Sequence, residues 1–253
     1  MNIVLYDGSF EGLLTAIFEI YEYKIIQPVI FKKDCASGSL FGNMHQVQTN
    51  SDKSNRVYNK LTDKLSKNAL GQLYRAFLSE LKEIENVLLR YIQYVLSTRQ
   101  SVENDYSNAD VLMVQQTSRK VYREKHRMEA FVRFQLTKDQ LYYSIIEPDF
   151  NVLPLISKHF EKRYADQRWL IYDSFRKYGL YFDMEKVDEV EMKFDVDPHD
   201  KATVKAFYDE QEEIYQKLWK QYFSSVNIAA RKNTRLHIKH MPKRYWRFLV
   251  EKH

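Results

Sequence analysis

Apolar residues recur at helical spacing from Arg56 to Lys125, and this long stretch restricts the chain to folds with a large α-helical part. The pattern predicts three helices within it: a short one over residues 57–65, a longer one over 68–98 and a third over 108–125. An apolar stripe of this length is typical of core packing and not of a cofactor site.

The pattern before the helical stretch predicts a strand, a turn and a helix. Residues 3–6 form a short apolar run that ends at Asp7-Gly8, a strong turn signal. Ser9 can cap the helix that follows, and residues 28–31 predict a second short strand.

After the helical stretch the period changes from 3.6 to two, which indicates a sheet. Residues 130–136 and 141–146 alternate between apolar and polar and are joined by a hairpin loop. Further elements are predicted by the same reasoning: strands over 169–173, 177–182 and 190–194, and helices over 151–163 and 197–222.

This order of elements predicts an α+β fold. We expect a single α+β domain over residues 1–253. Within it, a helical subregion would occupy residues 56–125, and an antiparallel sheet, a C-terminal helix and a basic tail would occupy residues 126–253.

The composition excludes several classes of protein. One cysteine, Cys35, rules out a disulfide framework within the chain and any all-cysteine iron–sulfur site. His237 and His240 lack the i, i+4 spacing of a helical zinc pair, and no glycine-rich phosphate loop occurs. There is no apolar run of about 18 residues and no basic flank of a signal peptide. We therefore expect a cytoplasmic protein without a membrane span, a metal or a cofactor.

The C-terminal stretch Ser224–Val250 contains no Asp or Glu, although the whole chain has a net charge of only +5. Its cations alternate with aromatic residues, a composition that suits a polyanion carrying flat bases. We predict that six cations contact phosphates and that two rings stack on an unpaired base. The predicted phosphate contacts are Arg231, Arg235, Lys239, Lys243, Arg244 and Arg247, and the predicted stacking residues are Tyr245 and Trp246.

Two other interpretations of this tail stay open. It can be a solvated basic segment with no ligand. It can also be structural, because Pro242, Tyr245, Trp246 and Leu249 have the spacing of a short closing helix that packs into the core. In that case, alanine at Arg244 or Trp246 would cost stability and not binding.

An enzyme is the competing class of function. Polar residues are dense around the predicted sheet, and four of them are candidates for a pocket that acts on a nucleotide or a flipped base. These candidates are His126, Arg133, His159 and Asp173. The alternative is that such groups are exposed or paired structural charges.

A resemblance to a known family runs through nearly the whole chain. It is carried by four segments, YDGSFEGLLTAIFEIY, EKHRMEAFVRFQ, EPDFNVLPLISKHFEKRYADQRWLIYDSFRKYGLYFD and FSSVNIAARKNTRLHIKHMPKRYWRFL. Together they resemble a bacterial family associated with DNA repair or DNA metabolism, much of which is a domain of unknown function. Members of that family are typically encoded beside a radical-SAM protein of DNA modification or repair, and some are fused to a uracil-DNA glycosylase-like domain.

The resemblance implies a DNA-binding accessory subunit that acts with a radical-SAM partner. One cysteine cannot hold the iron–sulfur cluster of a radical-SAM enzyme, so that chemistry would belong to the partner.

Overall fold

The computed structural model describes residues 2–33, 43–191, 218 and 238–252. The chain divides into two compact units, Met1–Tyr122 and Arg123–His253. Several predictions lie outside the described residues. These are Cys35, Arg231, Arg235, His237 and, apart from Leu218, the predicted helix 197–222.

The first unit contains a three-stranded parallel sheet in the order β2, β1, β3. The strands are β1 (Asn2–Tyr6), β2 (Pro28–Lys32) and β3 (Asn43–Gln46). Helix α1 (Phe10–Glu22) connects β1 to β2, and the Ser9 hydroxyl caps it. The predicted N-terminal strand, turn and helix are confirmed.

The turn between β1 and α1 is held by a hydrogen-bond network around Asp7. Its carboxylate accepts from the Ser9 N–H (2.9 Å), the Ser9 hydroxyl (2.7 Å) and the Thr49 hydroxyl (2.6 Å). The Ser9 hydroxyl also accepts from the Gly12 N–H at 2.8 Å. Partial burial alone would raise the pKa of Asp7, but the hydrogen bonds from Thr49 and Ser9 lower it below its ordinary value. Asp7 therefore fixes the start of α1.

Four helices follow β3 before the second sheet begins. They are α2 (Ser51–Thr62), α3 (Lys67–Phe77), α4 (Ile84–Ser97) and α5 (Ala109–Phe131), of which α5 begins in the first unit and ends in the second. Asn50 caps α2 and Ser66 caps α3. Among the described residues, no helix has both the length and the apolar character needed to cross a membrane.

The predicted single helix over residues 68–98 is wrong, because the chain breaks it into α3 and α4. Two non-glycine residues in the break, Glu80 and Glu83, have positive φ angles of 52° and 69°. Such residues do not continue a right-handed helix. No Gly or Pro lies in residues 78–83, so the sequence contains no residue there that commonly ends a helix.

Buried polar contacts at the start of α4 supply the physical reason for the break. The Tyr6 hydroxyl donates to Glu85 at 3.0 Å, and the Asn86 side chain accepts from the Ile30 N–H at 2.8 Å. Burial and the Glu85 carboxylate raise the pKa of Tyr6 above its ordinary value, so the phenol stays a donor. These contacts attach α4 to β1 and β2, and this tertiary constraint overrides helix propensity.

The second unit contains a five-stranded sheet in sequential order. Its strands are β4 (Gln135–Leu136), β5 (Tyr142–Ile146), β6 (Trp169–Asp173), β7 (Tyr178–Phe182) and β8 (Val187–Glu191). Neighbouring strands are antiparallel except β5 and β6, which are parallel because α6 (Leu153–Arg163) forms the crossover between them. Trp169 lies fully buried in this core and stacks on Phe182. The α+β class is confirmed.

Only the end of the predicted strand over residues 130–136 forms a strand. Helix α5 continues to Phe131, and only Gln135 and Leu136 pair with β5. Arg133, which we expected to project toward a ligand, instead donates to the backbone carbonyl of Ala130 at 2.7 Å just beyond the helix end. Strand β8 begins at Val187 and not at residue 190.

Candidate nucleic-acid interface

The C-terminal segment 238–252 packs onto the second unit through a short 3-10 helix, Lys243–Phe248. Pro242 precedes this helix, and two of the apolar residues in the segment are buried: Tyr245 is 2% exposed and Leu249 is 0% exposed. The segment is therefore a closing element of the fold, as the structural interpretation of the tail predicted.

Glu124 on α5 is the centre of the contacts that hold this segment. Its buried carboxylate accepts from the Tyr245 hydroxyl at 2.5 Å and from the Arg244 guanidinium at 3.0 Å. It also accepts from the Asp149 N–H at 3.0 Å and lies 3.5 Å from the Arg127 guanidinium. A buried carboxylate with four donors is stable only because each donor offsets part of its desolvation.

Further ion pairs extend this arrangement along the segment. Arg244 pairs with Asp149 at 2.7 Å, and Arg247 pairs with Glu147 at 2.5 Å. At the far end, Arg133 pairs at 3.0 Å with Glu251, whose side chain is fully buried. Ion pairs therefore hold the segment to the rest of the second unit at several points.

Asp173 and Arg176 join the same cluster. The buried Asp173 carboxylate accepts from the Arg176 guanidinium at 2.9 Å, and that guanidinium also donates to the Pro148 carbonyl at 3.1 Å. Four arginines meet four carboxylates in this anchoring cluster. Its members are Arg127, Arg176, Arg244, Arg247, Glu124, Glu147, Asp149 and Asp173.

Burial sets the direction of the pKa shifts in the anchoring cluster. Burial and the hydrogen bond to Glu124 raise the pKa of the Tyr245 hydroxyl, so it remains a donor. Burial and the charge of Glu124 raise the pKa of Asp149, although Arg244 opposes this. Burial likewise raises the pKa of Asp173 against the hydrogen bonds from Arg176.

A model of a family described as a domain of unknown function, DUF4130, matches residues 82–251. The chain belongs to the DUF4130 family. A search of curated proteins found no match. The matched region includes the whole anchoring cluster, so these contacts lie within the DUF4130 domain.

The DUF4130 tail segment also carries basic residues for which the described part of the chain supplies no ion-pair partner. Lys239, His240 and Lys243 are exposed, and no carboxylate of the described residues lies within ion-pair distance of them. Trp246 is half-buried and donates its indole N–H to the Met241 carbonyl at 3.1 Å. The Lys243 ammonium lies 5.9 Å from the centre of the Trp246 ring. These four residues, Lys239, His240, Lys243 and Trp246, form what we call the tail cationic face.

The DUF4130 structure divides the predicted nucleic-acid-binding residues into two groups. Arg244 and Arg247, two of the predicted phosphate contacts, pair with carboxylates of the chain, which partly neutralise them. The Tyr245 ring is buried against Phe131 and cannot stack on a base without leaving this position. Lys239, Lys243 and Trp246 keep positions that are compatible with the prediction.

The four catalytic candidates do not share one set of contacts. His126 and His159 both approach Glu129, at 3.9 Å and 3.6 Å. Arg133 instead contacts Glu251, and Asp173 contacts Arg176. Within the described ranges, no group of three or more His, Cys, Asp or Glu side chains is arranged to hold a metal ion.

Sequence reasoning missed Glu124, although a signal for it existed. Glu124 continues the buried face of α5 that runs through Val114, Val121 and Met128. An acid at a core-facing helical position requires buried donors, so it predicts a polar cluster there.

Proposed function

We propose that this DUF4130 protein binds nucleic acid and acts as a DNA-binding accessory subunit in DNA repair or DNA metabolism. The observation that supports this most directly is the tail cationic face, in which Lys239, His240 and Lys243 are exposed and unpaired with any described carboxylate and Lys243 lies near the Trp246 ring. The resemblance to a DNA-repair family points in the same direction.

The contacts that anchor the segment make the tail cationic face suitable for binding a polyanion. Buried contacts of Tyr245 and ion pairs of Arg244 and Arg247 fix the backbone that carries Lys243 and Trp246. A fixed backbone loses less conformational entropy when its side chains bind phosphates. Lysine ammonium groups neutralise phosphates and release counterions, which makes binding favourable and dependent on salt.

The double variant Lys239→Ala/Lys243→Ala tests the proposal. If each lysine neutralises one phosphate of duplex DNA, the slope of log Kd against log salt concentration should fall by about two units. Fluorescence anisotropy with a labelled duplex over a series of salt concentrations measures this slope. The thermal midpoint should not change, because both side chains are exposed.

A matched control removes the same charge elsewhere. Lys67→Ala/Lys82→Ala changes two exposed lysines of the first unit, and we expect the salt slope to stay close to that of the unmodified protein. Equal slopes for the two double variants would contradict the role of the tail cationic face. Binding that does not depend on salt, or no binding to any form of DNA, would contradict the proposed function itself.

The proposal includes a radical-SAM protein as partner and the cytoplasm as location, and both depend on the resemblance and the composition. The test is coexpression with a radical-SAM protein of the kind encoded beside members of the family that the chain resembles, followed by size-exclusion chromatography of the purified mixture. Coelution in one peak at a fixed ratio is the expected result. Separate elution at micromolar concentration would count against the partnership but not against DNA binding.

A further inference from the structure

The turn between β6 and β7 holds an apolar ring in solvent. Phe175 is 69% exposed, more than any other large hydrophobic side chain described in the second unit. Scattered exposed apolar residues are common, so exposure alone carries little weight. The construction of the turn and its neighbours distinguish Phe175.

The turn is rigid because the buried Asp173 carboxylate organises it. This carboxylate accepts from the backbone N–H groups of Phe175 (3.0 Å) and Arg176 (3.1 Å). The Lys177 N–H closes the turn on the Asp173 carbonyl at 2.9 Å, and Lys177 has a positive φ of 63°. The Arg176 guanidinium also lies 5.5 Å from the centre of the Phe175 ring. The phenyl ring is therefore presented from a fixed backbone.

The segment that supports this turn also supports the C-terminal 3-10 helix. Glu147 accepts from the Ser174 hydroxyl at 3.1 Å and pairs with Arg247 at 2.5 Å. Asp149 accepts from Arg176 through its carbonyl at 3.3 Å and pairs with Arg244 through its carboxylate at 2.7 Å. Residues 147–149 thus contact both the turn that carries Phe175 and the C-terminal 3-10 helix.

We propose that Phe175 stacks on an unpaired base of the nucleic acid whose phosphates the tail cationic face contacts. This inference rests on the proposed function and assigns to Phe175 the stacking role that the sequence had suggested for Tyr245. A flat ring held in solvent with the Arg176 guanidinium beside it suits the face of a base, and stacking of this kind tolerates any sequence. The protein should therefore prefer single-stranded or mismatched DNA to a fully paired duplex.

Phe175→Ala tests this assignment with three labelled probes: a single strand, a duplex with one central mismatch and the same duplex fully paired. We expect Kd to rise roughly 5- to 100-fold on the first two probes, as the loss of one stacked base predicts, and to change little on the third. The salt slope should not change, because no charge is removed. Phe175→Trp should retain tight binding.

Met184→Ala is the matched control. Met184 is 51% exposed in the β7–β8 turn, where the Asp183 carboxylate accepts from the N–H groups of Glu185 and Lys186 in a similar way. This variant should bind all three probes like the unmodified protein, and both variants should keep the same thermal midpoint.

Two results would overturn the inference and differ from a failure of the proposed function. If Phe175→Ala binds every probe within twofold of the unmodified protein, with the same salt slope, Phe175 does not stack and DNA binding stands. If Phe175→Ala melts well below Met184→Ala, the ring is structural. If the unmodified protein binds none of the probes, the proposed function fails and this inference fails with it.

Discussion

Alanine in place of Glu124 is expected to lower the free energy of unfolding by about 3 kcal/mol, because it removes the buried acceptor that four donors share. The buried Tyr245 hydroxyl and the Asp149 N–H would lose their partner, while Arg127 and Arg244 can partly rehydrate. That loss corresponds to a decrease of roughly 6–12 °C in the thermal midpoint for a chain of this size. Circular dichroism during heating measures it.

Two further variants make this test specific. Glu185→Ala removes an exposed acid of the β7–β8 turn and should leave the midpoint within about 1 °C, as surface changes usually do. Tyr245→Phe removes one hydrogen bond to Glu124 and should cost about 1 kcal/mol. Equal midpoints for Glu124→Ala and Glu185→Ala would show that the anchoring cluster contributes no stability.

Gly12→Ala is expected to destabilise the first unit by about 2–3 kcal/mol, although alanine favours helices. A Cβ atom at this position would lie 2.1 Å from Asp7 Oδ1, 2.8 Å from Thr49 Oγ1 and 2.9 Å from Ser9 Oγ. The Asp7 carboxylate must then move, which costs the helix cap and two or three hydrogen bonds at about 1 kcal/mol each. The higher helix propensity of alanine offsets only about 1 kcal/mol of this loss. Chemical denaturation followed by circular dichroism measures the difference.

Gly71→Ala provides the contrast, because it makes the same change inside α3. There the new Cβ atom would meet only the flexible end of Arg75, at 3.1 Å from Nη1. We expect it to stabilise the protein by up to about 1 kcal/mol, the opposite sign to Gly12→Ala. If both variants changed the free energy of unfolding in the same direction, the close packing of Asp7 around Gly12 would be contradicted.

Local signals predicted much of the fold. The N-terminal strand, the Ser9 cap and the strands β5, β6 and β7 were visible in the sequence, because their signals lie within a few residues. The break between α3 and α4 was not visible, since it depends on Tyr6 and Ile30, which lie more than fifty residues away along the chain. Tertiary contacts of this kind leave no mark on periodicity.

The candidate site was predictable in composition but not in geometry. The absence of acidic residues from the tail predicted a cluster of exposed cations, and the described part of the tail does carry exposed lysines. Which cations are neutralised depends on pairs such as Arg244 with Glu124, separated by 120 positions in the chain. A count of charges within a window cannot detect such pairs, so it assigned Arg244 to phosphate contact and Tyr245 to base stacking without showing that both contact Glu124.

A comparison of two adjacent residues tests the central claim that some side chains of the tail segment anchor it while others bind nucleic acid. Lys243→Ala should weaken duplex DNA binding and reduce the salt slope by about one unit, with an unchanged thermal midpoint. Arg244→Ala should lower the midpoint by several degrees, because it removes a donor from buried Glu124 and breaks the pair with Asp149. The reverse pattern, with a stable Arg244→Ala protein that has lost DNA binding and a Lys243→Ala protein that binds normally, would contradict the account.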